Sequence, residues 1–205
     1  MIIVAIANQK GGVGKTTTAI NLSACVAAAG YRVLAIDVDP QGNMTSGLGV
    51  EKTGDKPSVY DVLINGLPLS EAISETPMKN LMLAPANIAL AGAEVELVSM
   101  MAREYVLKKA LEAVSSDFDY VFIDCPPSLG LLTLNALTAA HKLMVPIQCE
   151  FFALEGLSQL MSTVALVRRH LNEGLQVEGV VMTMFDSINF VNKNNAWSRL
   201  FGAVI

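Results

Sequence analysis

The segment Gln9-Lys10-Gly11-Gly12-Val13-Gly14-Lys15-Thr16-Thr17 has the residue types and spacing needed to hold phosphate. Its glycines let the backbone bend and bring N–H groups against anionic oxygens. An apolar run precedes it and a helical pattern comes after it, so the unpaired N–H donors and positive dipole end of a helix would face the same spot. Lys15 can reach β- and γ-phosphates, the Thr16 hydroxyl can ligate Mg²⁺, and Thr17 can donate to a further phosphate oxygen. The bland alternative is a glycine turn that binds nothing. The strand pattern before the segment and the helix pattern after it argue against that.

The loop departs from the general G-x-x-x-x-G-K-[ST] pattern in one informative way. Gln9 replaces the first glycine, and a second lysine, Lys10, enters the loop. Five positions before Lys15, Lys10 is poorly placed to duplicate its role. It is better used pointing outward, toward phosphate held by a second subunit.

Carboxylates recur at the ends of apolar runs. VLAIDVDPQGN puts Asp37 and Asp39 at the close of one run, and YVFIDCPPS puts Asp124 at the close of another. In doubly wound sheets, ligands sit at the carboxyl ends of the strands. A lone aspartate there is more often a turn or cap residue. Two such ends beside a phosphate loop change the balance, because Mg²⁺ with a triphosphate needs nearby carboxylates.

The elements that must position these groups can be read from the patterning. Apolar runs alternate with helical patterns, which predicts βαβ units: an α/β, doubly wound, mostly parallel sheet flanked by helices. Strands are expected at Ile2–Ala7, Arg32–Asp37, Tyr120–Asp124, Lys142–Pro146 and Val177–Met184, with Leu81–Ala84 a weaker candidate at an edge. Helices are expected at Lys15–Ala29, Glu94–Val114, Leu131–Ala139 and Leu154–Leu171. Gly47–Pro57 reads as a loop, and Pro77–Asn80 and Gly92 punctuate the chain beyond it. Met100 and Met101 read as core filling on an amphipathic helix. His141 and His170 read as surface or capping residues.

The 205 residues fit one domain with a single buried core. Apolar residues at 52% against charged residues at 16% suit a sheet covered on both faces. A net charge of -5 argues against a large basic coat for nucleic acid, though not against a local patch, for which Arg168, Arg169, Lys193 and Arg199 are candidates. Cys25, Cys125 and Cys149 are far apart and form no metal-ligand pair, which favours reduced thiols in a cytosolic protein. The opening MIIVAIANQKGG reads as a strand rather than a signal peptide. No apolar stretch reaches the length of a membrane span. The expectation is a soluble, cytoplasmic protein with no membrane contact.

KGGVGKTT resembles the deviant P-loop of the ParA/MinD superfamily, and DVDPQGN and DCPPS resemble the switch I and switch II segments of its ParA branch. ANQKGG, TSGLGV, LAGAEVELVSMMAREYVLKKAL, SLGLLTLNAL and VPIQCEFFALEGLSQL agree with ParA/Soj-type partition ATPases as well. The resemblance covers residues 1–186 and implies a P-loop ATPase using ATP and Mg²⁺. Residues 10–17 (Lys10, Gly11, Gly12, Val13, Gly14, Lys15, Thr16, Thr17) would bind the nucleotide. It makes Lys10, Lys15 and Asp39 the catalytic residues. Lys10 would cross to a partner copy's nucleotide, and Asp39 would position the attacking water. Thr16, Asp39 and Asp124 would hold the metal, while Asp37 serves the loop's hydrogen bonding. Partners implied are a second copy paired by ATP, a ParB-type protein and non-specific DNA, in chromosome or plasmid segregation, and the nucleoid association expected of the protein is implied by this resemblance alone.

Residues 187–205 form an atypical tail. The family continues after TMFDS with a helix, a strand and a base-packing loop, and INFVNKNNAWSRLFGAVI does not match, so no base-contacting residue carries over. Two other readings stand beside the partition ATPase. One is a nucleotide-binding regulator without turnover or DNA binding. The other is a MinD-like membrane-cycling ATPase, which would need a basic amphipathic tail helix.

Overall fold

A computed structural model of the chain describes residues 1–52, 56–149 and 153–184. Its first half runs β1 (Ile2–Ile6), α1 (Lys15–Ala28), β2 (Val33–Asp37), α2 (Asn43–Gly47), α3 (Val59–Ile64), α4 (Leu69–Ala72), β3 (Ser74–Glu75) and β4 (Leu81–Ala84). The second half runs α5 (Leu90–Glu96), α6 (Val106–Glu112), β5 (Tyr120–Asp124), α7 (Leu131–Ala139), β6 (Lys142–Gln148), α8 (Ala153–His170) and β7 (Gln176–Thr183).

The strands form one sheet in the order β3-β4-β2-β5-β1-β6-β7. Every pairing is parallel except β3 with β4. Strand residues alternate between two cores. Ile3, Ala5, Leu34 and Ile36 join the large cluster, while Val4, Ile6, Val33 and Ala35 join a smaller one with Ala19 and Ala27 of α1. That is the doubly wound architecture expected of runs apolar on both faces. On α1 the buried residues Lys15, Ala19, Ser23 and Ala27 recur every fourth position, and the last three form a narrow small-residue stripe that lets the helix lie close to the sheet.

The expected strands and helices are present apart from three corrections. Glu94–Val114 is not one helix. It breaks after α5 into two 3₁₀ turns, Leu97–Ser99 and Arg103–Tyr105, with Ala102 at φ 52, before α6 resumes. Buried Asn135 of α7 splices the break. Its amide donates to the Arg103 and Leu131 carbonyls at 2.8 and 3.0 Å, and its oxygen accepts from Leu107 N–H at 3.1 Å. Met100 packs on the core, but Met101 at the break is 95% exposed, and Gly92 lies inside α5 rather than punctuating the chain. Last, β4 is not the edge, because the two-residue β3 lies outside it.

Candidate functional site

The phosphate loop leaves β1 and enters α1 through two left-handed residues, Gly12 at φ 72 and Gly14 at φ 84. A side chain at either would be strained, which explains the glycines. Helix α1 has no side-chain cap at Gly14, so its first N–H groups remain available to a ligand. The loop is tied down on several sides. Asn8 accepts from the Lys10 N–H at 3.0 Å and donates to the Pro146 carbonyl at 2.8 Å. Gln9 donates to Gln159 of α8 at 2.7 Å. Thr183, at the end of β7, donates from its hydroxyl to the Val13 carbonyl at 2.8 Å.

Asn8 and Thr183 are positioning residues that the sequence reading did not single out. Asn8 sits beside the glycines and its amide type was a usable cue. Thr183 is 170 residues from its partner, and nothing local marks it.

A cavity of about 340 Å³ opens over the loop, lined by Gly11, Gly12, Gly14, Lys15, Thr16, Thr17, Asp39, Gln41, Asn43, Pro127 and Met184. Val13 is buried beneath it. Lys15 is also buried, and its ammonium donates to the Lys10 carbonyl at 3.1 Å. Burial lowers its pKa, against the pull of Asp124, Cys125 and Asp39. Lys10 does not line this cavity. It faces a neighbouring recess of about 660 Å³ together with Gln9, Pro127, Ser128, Leu129, Gly156 and Gln159.

The three aspartates converge behind the cavity. Asp37 and Asp124 are register partners at the ends of adjacent strands β2 and β5. Asp37 is fully used as a loop anchor. It accepts from Thr45 N–H and hydroxyl at 2.8 and 2.7 Å and from Asp39 N–H at 3.1 Å, and burial pushes its carboxyl up to about 6. Asp39 accepts from Gln41 N–H at 2.9 Å. Asp124 differs, since both carboxylate oxygens are buried without a hydrogen-bond partner. Burial pushes it up to about 7. The nearby Thr16 hydroxyl, short of bonding geometry, draws it down, and the charges of Asp37 and Asp39 push it further up.

A buried, unpartnered carboxylate is costly unless a cation or donor completes it. With Thr16 beside it and Asp39 on the cavity wall, this oxygen-rich set fits a hard divalent cation such as Mg²⁺. Cys125 is fully buried and burial raises its thiol pKa, so it packs rather than reacts. Among the described residues no group of three or more His, Cys, Asp or Glu is placed to hold a metal ion by itself, so a cation here would also draw on the Thr16 hydroxyl and on phosphate oxygens.

Comparisons with known proteins bear on the family and the fold. A sequence family described as an AAA domain matches residues 1–177. The sporulation initiation inhibitor protein Soj of Bacillus subtilis is 58% identical over 185 residues, 90% of this chain and 73% of that protein. The chromosome partitioning protein ParA of Myxococcus xanthus is 53% identical over 185 residues, 90% of this chain and 65% of that protein. A solved structure described as cobyrinic acid a,c-diamide synthase from Mycobacterium smegmatis, with bound ADP and magnesium, superposes at a TM-score of 0.92. It is 44% identical and covers 98% of this chain and 81% of its own. A form of that protein with an ATP analogue and magnesium superposes at 0.89, with 43% identity, covering 96% of this chain and 82% of its own.

Proposed function

This chain belongs to the ParA/Soj family of partition ATPases and is an ATP hydrolase of that type using ATP and Mg²⁺, and we propose that its nucleotide cycle pairs two copies and governs their hold on non-specific DNA. The observation that supports the reading best is Asp124. It lies buried and unpartnered behind a phosphate loop whose helix start is uncapped.

The chemistry assigned to the residues comes from their places. The N–H groups of Gly11–Thr17 and the Lys15 ammonium take the phosphates. Thr16, Asp39 and Asp124 would hold Mg²⁺, which would supply neutralisation of the phosphate charge. Asp39 would orient a water for in-line attack on the γ-phosphorus; the water oxygen forms the new P–O bond as the bond to the β–γ bridging oxygen breaks, and the water's proton passes to the released phosphate, giving ADP and phosphate. Positioning and electrostatics carry such a reaction. Lys10, in the neighbouring recess, reaches the nucleotide of the second copy.

DNA contact by the pair would draw on exposed basic groups such as Arg168 and Arg169 at the end of α8. Lys193, Arg199 and the tail 187–205 lie outside the described residues, and we keep the division into a 1–186 ATPase domain and a separate tail as part of the proposal. A ParB-type protein would stimulate hydrolysis, in the cytoplasm and on the nucleoid. Among the described residues no helix is long and apolar enough to cross a membrane.

Sedimentation with a slowly hydrolysed ATP analogue and Mg²⁺ tests the pairing. The parent should dimerise, while Lys10→Ala should bind the analogue through Lys15 yet stay monomeric. An undiminished ATP-dependent dimer in that variant would reduce Lys10 to an ordinary loop lysine. ATP turnover measured with and without duplex DNA, across salt, tests the rest. A chain that binds ATP without turning it over would instead be the regulator.

A further inference from the structure

Helix α7 starts immediately after the loop that leaves the metal-binding strand β5, and it starts without a cap of its own. Its N-cap residue is Gly130, in extended conformation, with no side chain to accept from the first-turn N–H groups. The acceptor comes from elsewhere in the chain. Glu94, half-buried on α5, accepts from Leu131 N–H at 2.8 Å through one carboxylate oxygen and from Leu132 N–H at 3.3 Å through the other. A carboxylate at a helix start is favoured by charge-assisted hydrogen bonds and by the helix dipole.

Gly130 records the same contact independently. A Cβ at that position would lie 2.5 and 2.6 Å from the two Glu94 oxygens and 2.8 Å from Cδ. Those atoms end a flexible side chain, so an added Cβ would displace the carboxylate and weaken the two hydrogen bonds it accepts.

The loop between Asp124 and Gly130 is thus anchored at both ends. Cys125 N–H donates to the Ile6 carbonyl at 3.1 Å at one end, and Glu94 holds the helix start at the other. Between them Thr133 donates to the Ser128 carbonyl at 2.7 Å, and Pro127 forms wall in both the phosphate cavity and the Lys10 recess.

We propose that Glu94 is a positioning residue for ATP hydrolysis: by capping α7 across the fold it holds the Cys125–Gly130 loop, and with it Pro127, in the conformation that faces the phosphate cavity. This rests on the ATPase reading above. Among the described residues no hydrogen bond joins Glu94 to the phosphate loop or to Lys15; the bonds described there run from Asn8 to Pro146, Gln9 to Gln159, Lys10 to Asn8, Lys15 to the Lys10 carbonyl and Thr183 to Val13. Losing it should therefore disturb turnover far more than ground-state nucleotide binding.

The test compares Glu94→Ala, Glu94→Gln, Gly130→Ala and the Glu94→Ala/Gly130→Ala double variant of the full chain with Mg²⁺. Readouts are amide hydrogen exchange at Leu131 and Leu132, affinity for a slowly hydrolysed ATP analogue, and turnover. In Glu94→Ala, exchange at the two amides should quicken on the order of tenfold. Turnover should fall on the order of tenfold, with analogue affinity within about threefold of the parent. Glu94→Gln keeps one acceptor oxygen and should lie between. Gly130→Ala should also slow turnover, but the double variant should match Glu94→Ala, because the clash disappears with the carboxylate.

Parent-like turnover in Glu94→Ala, losses that multiply in the double variant, or equal losses of affinity and turnover would each overturn the proposal. A parent without any turnover would remove the ATPase reading alone. Exchange would then still judge the tether, supporting it if faster in Glu94→Ala and overturning it if unchanged.

Discussion

Strands β2 and β5 lie side by side and carry a charged pair at each end, yet the two ends obey opposite rules. At their start, Arg32 and Asp119 form a bidentate pair, with Arg32 Nη2 at 2.8 Å and Nε at 3.3 Å from the two carboxylate oxygens. Both are substantially exposed, and the Arg32 N–H adds a further bond at 2.9 Å. The side-chain bond to Arg32 holds the Asp119 carboxyl down to about 2. At their finish, Asp37 and Asp124 are like charges in register, both buried, and Asp124 is unpartnered. One end is satisfied by its own ion pair, whereas the other leaves a buried carboxyl without a hydrogen-bond partner, the place where the proposed function puts a cation. The same backbone ladder therefore supports an ion pair at one end and a candidate binding site at the other, and the difference lies in sign, burial and satisfaction.

The comparison is broken most severely at the finish. Lys15 is the buried positive charge beside Asp124 and Asp39 and, on the proposed function, the group that faces the phosphates, so Lys15→Ala should abolish measurable ATP binding. Near-parent affinity by fluorescent-nucleotide titration would mean that the cavity is not a phosphate site. Next in size, Asp39→Ala should leave ATP bound while slowing turnover by roughly 10²-fold, the loss expected when the group orienting the attacking water is removed. Turnover equal to the parent would leave Asp39 only its bond to Gln41.

Asp124→Asn sharpens the contrast by separating stability from function. A raised carboxyl pKa means that the folded state resists ionising. Its cost to the fold is absent below 3.8 and grows as pH rises toward about 7. An unpartnered amide costs less than an unpartnered charge. In chelator at pH 8 the variant should therefore melt above the parent, while the Mg²⁺ dependence of ATP binding weakens on the order of tenfold or more. A lower melting point would show that the ligand-free protein does not carry the penalty assigned to Asp124.

Much of this site was legible because its residues are neighbours in sequence. Lys15 and Thr16 come directly after the glycines, and Asp37, Asp39 and Asp124 end runs whose burial on both faces showed as unbroken apolarity. The parallel sheet could be read from the same runs. The parts that stayed hidden depended on distant partners. The break near Ala102 is held by Asn135, the loop clamp by Thr183 and the α7 cap by Glu94, and no local pattern joins such pairs. Helix α3 is a different case. Its start, Ser58-Val59-Tyr60-Asp61, is a capping box in which Asp61 accepts from Ser58 N–H and hydroxyl at 2.9 and 3.0 Å, and that signal was readable.

The smallest expected effect belongs to the start of the strands, and its pH dependence separates it from the rest. Because the Asp119 pKa is depressed from 3.8 to about 2 in the fold, the stability it lends is present above the unfolded value and fades as pH falls from about 4 through about 2. The pair is solvent-screened, so its contribution should be slight and should shrink further in high salt. Asp119→Asn should melt slightly below the parent at pH 7 in low salt, and the gap should close in molar salt or near pH 2. Turnover at pH 7 should match the parent, since Asp119 sits at the opposite end of the strand from Asp124. A stability loss that persisted unchanged at pH 2 would assign the effect to packing or to the Arg32 N–H bond rather than to charge. A clear loss of turnover would mean that the two ends of β2 and β5 are mechanically linked, and the division between a structural end and a binding end would have to be given up.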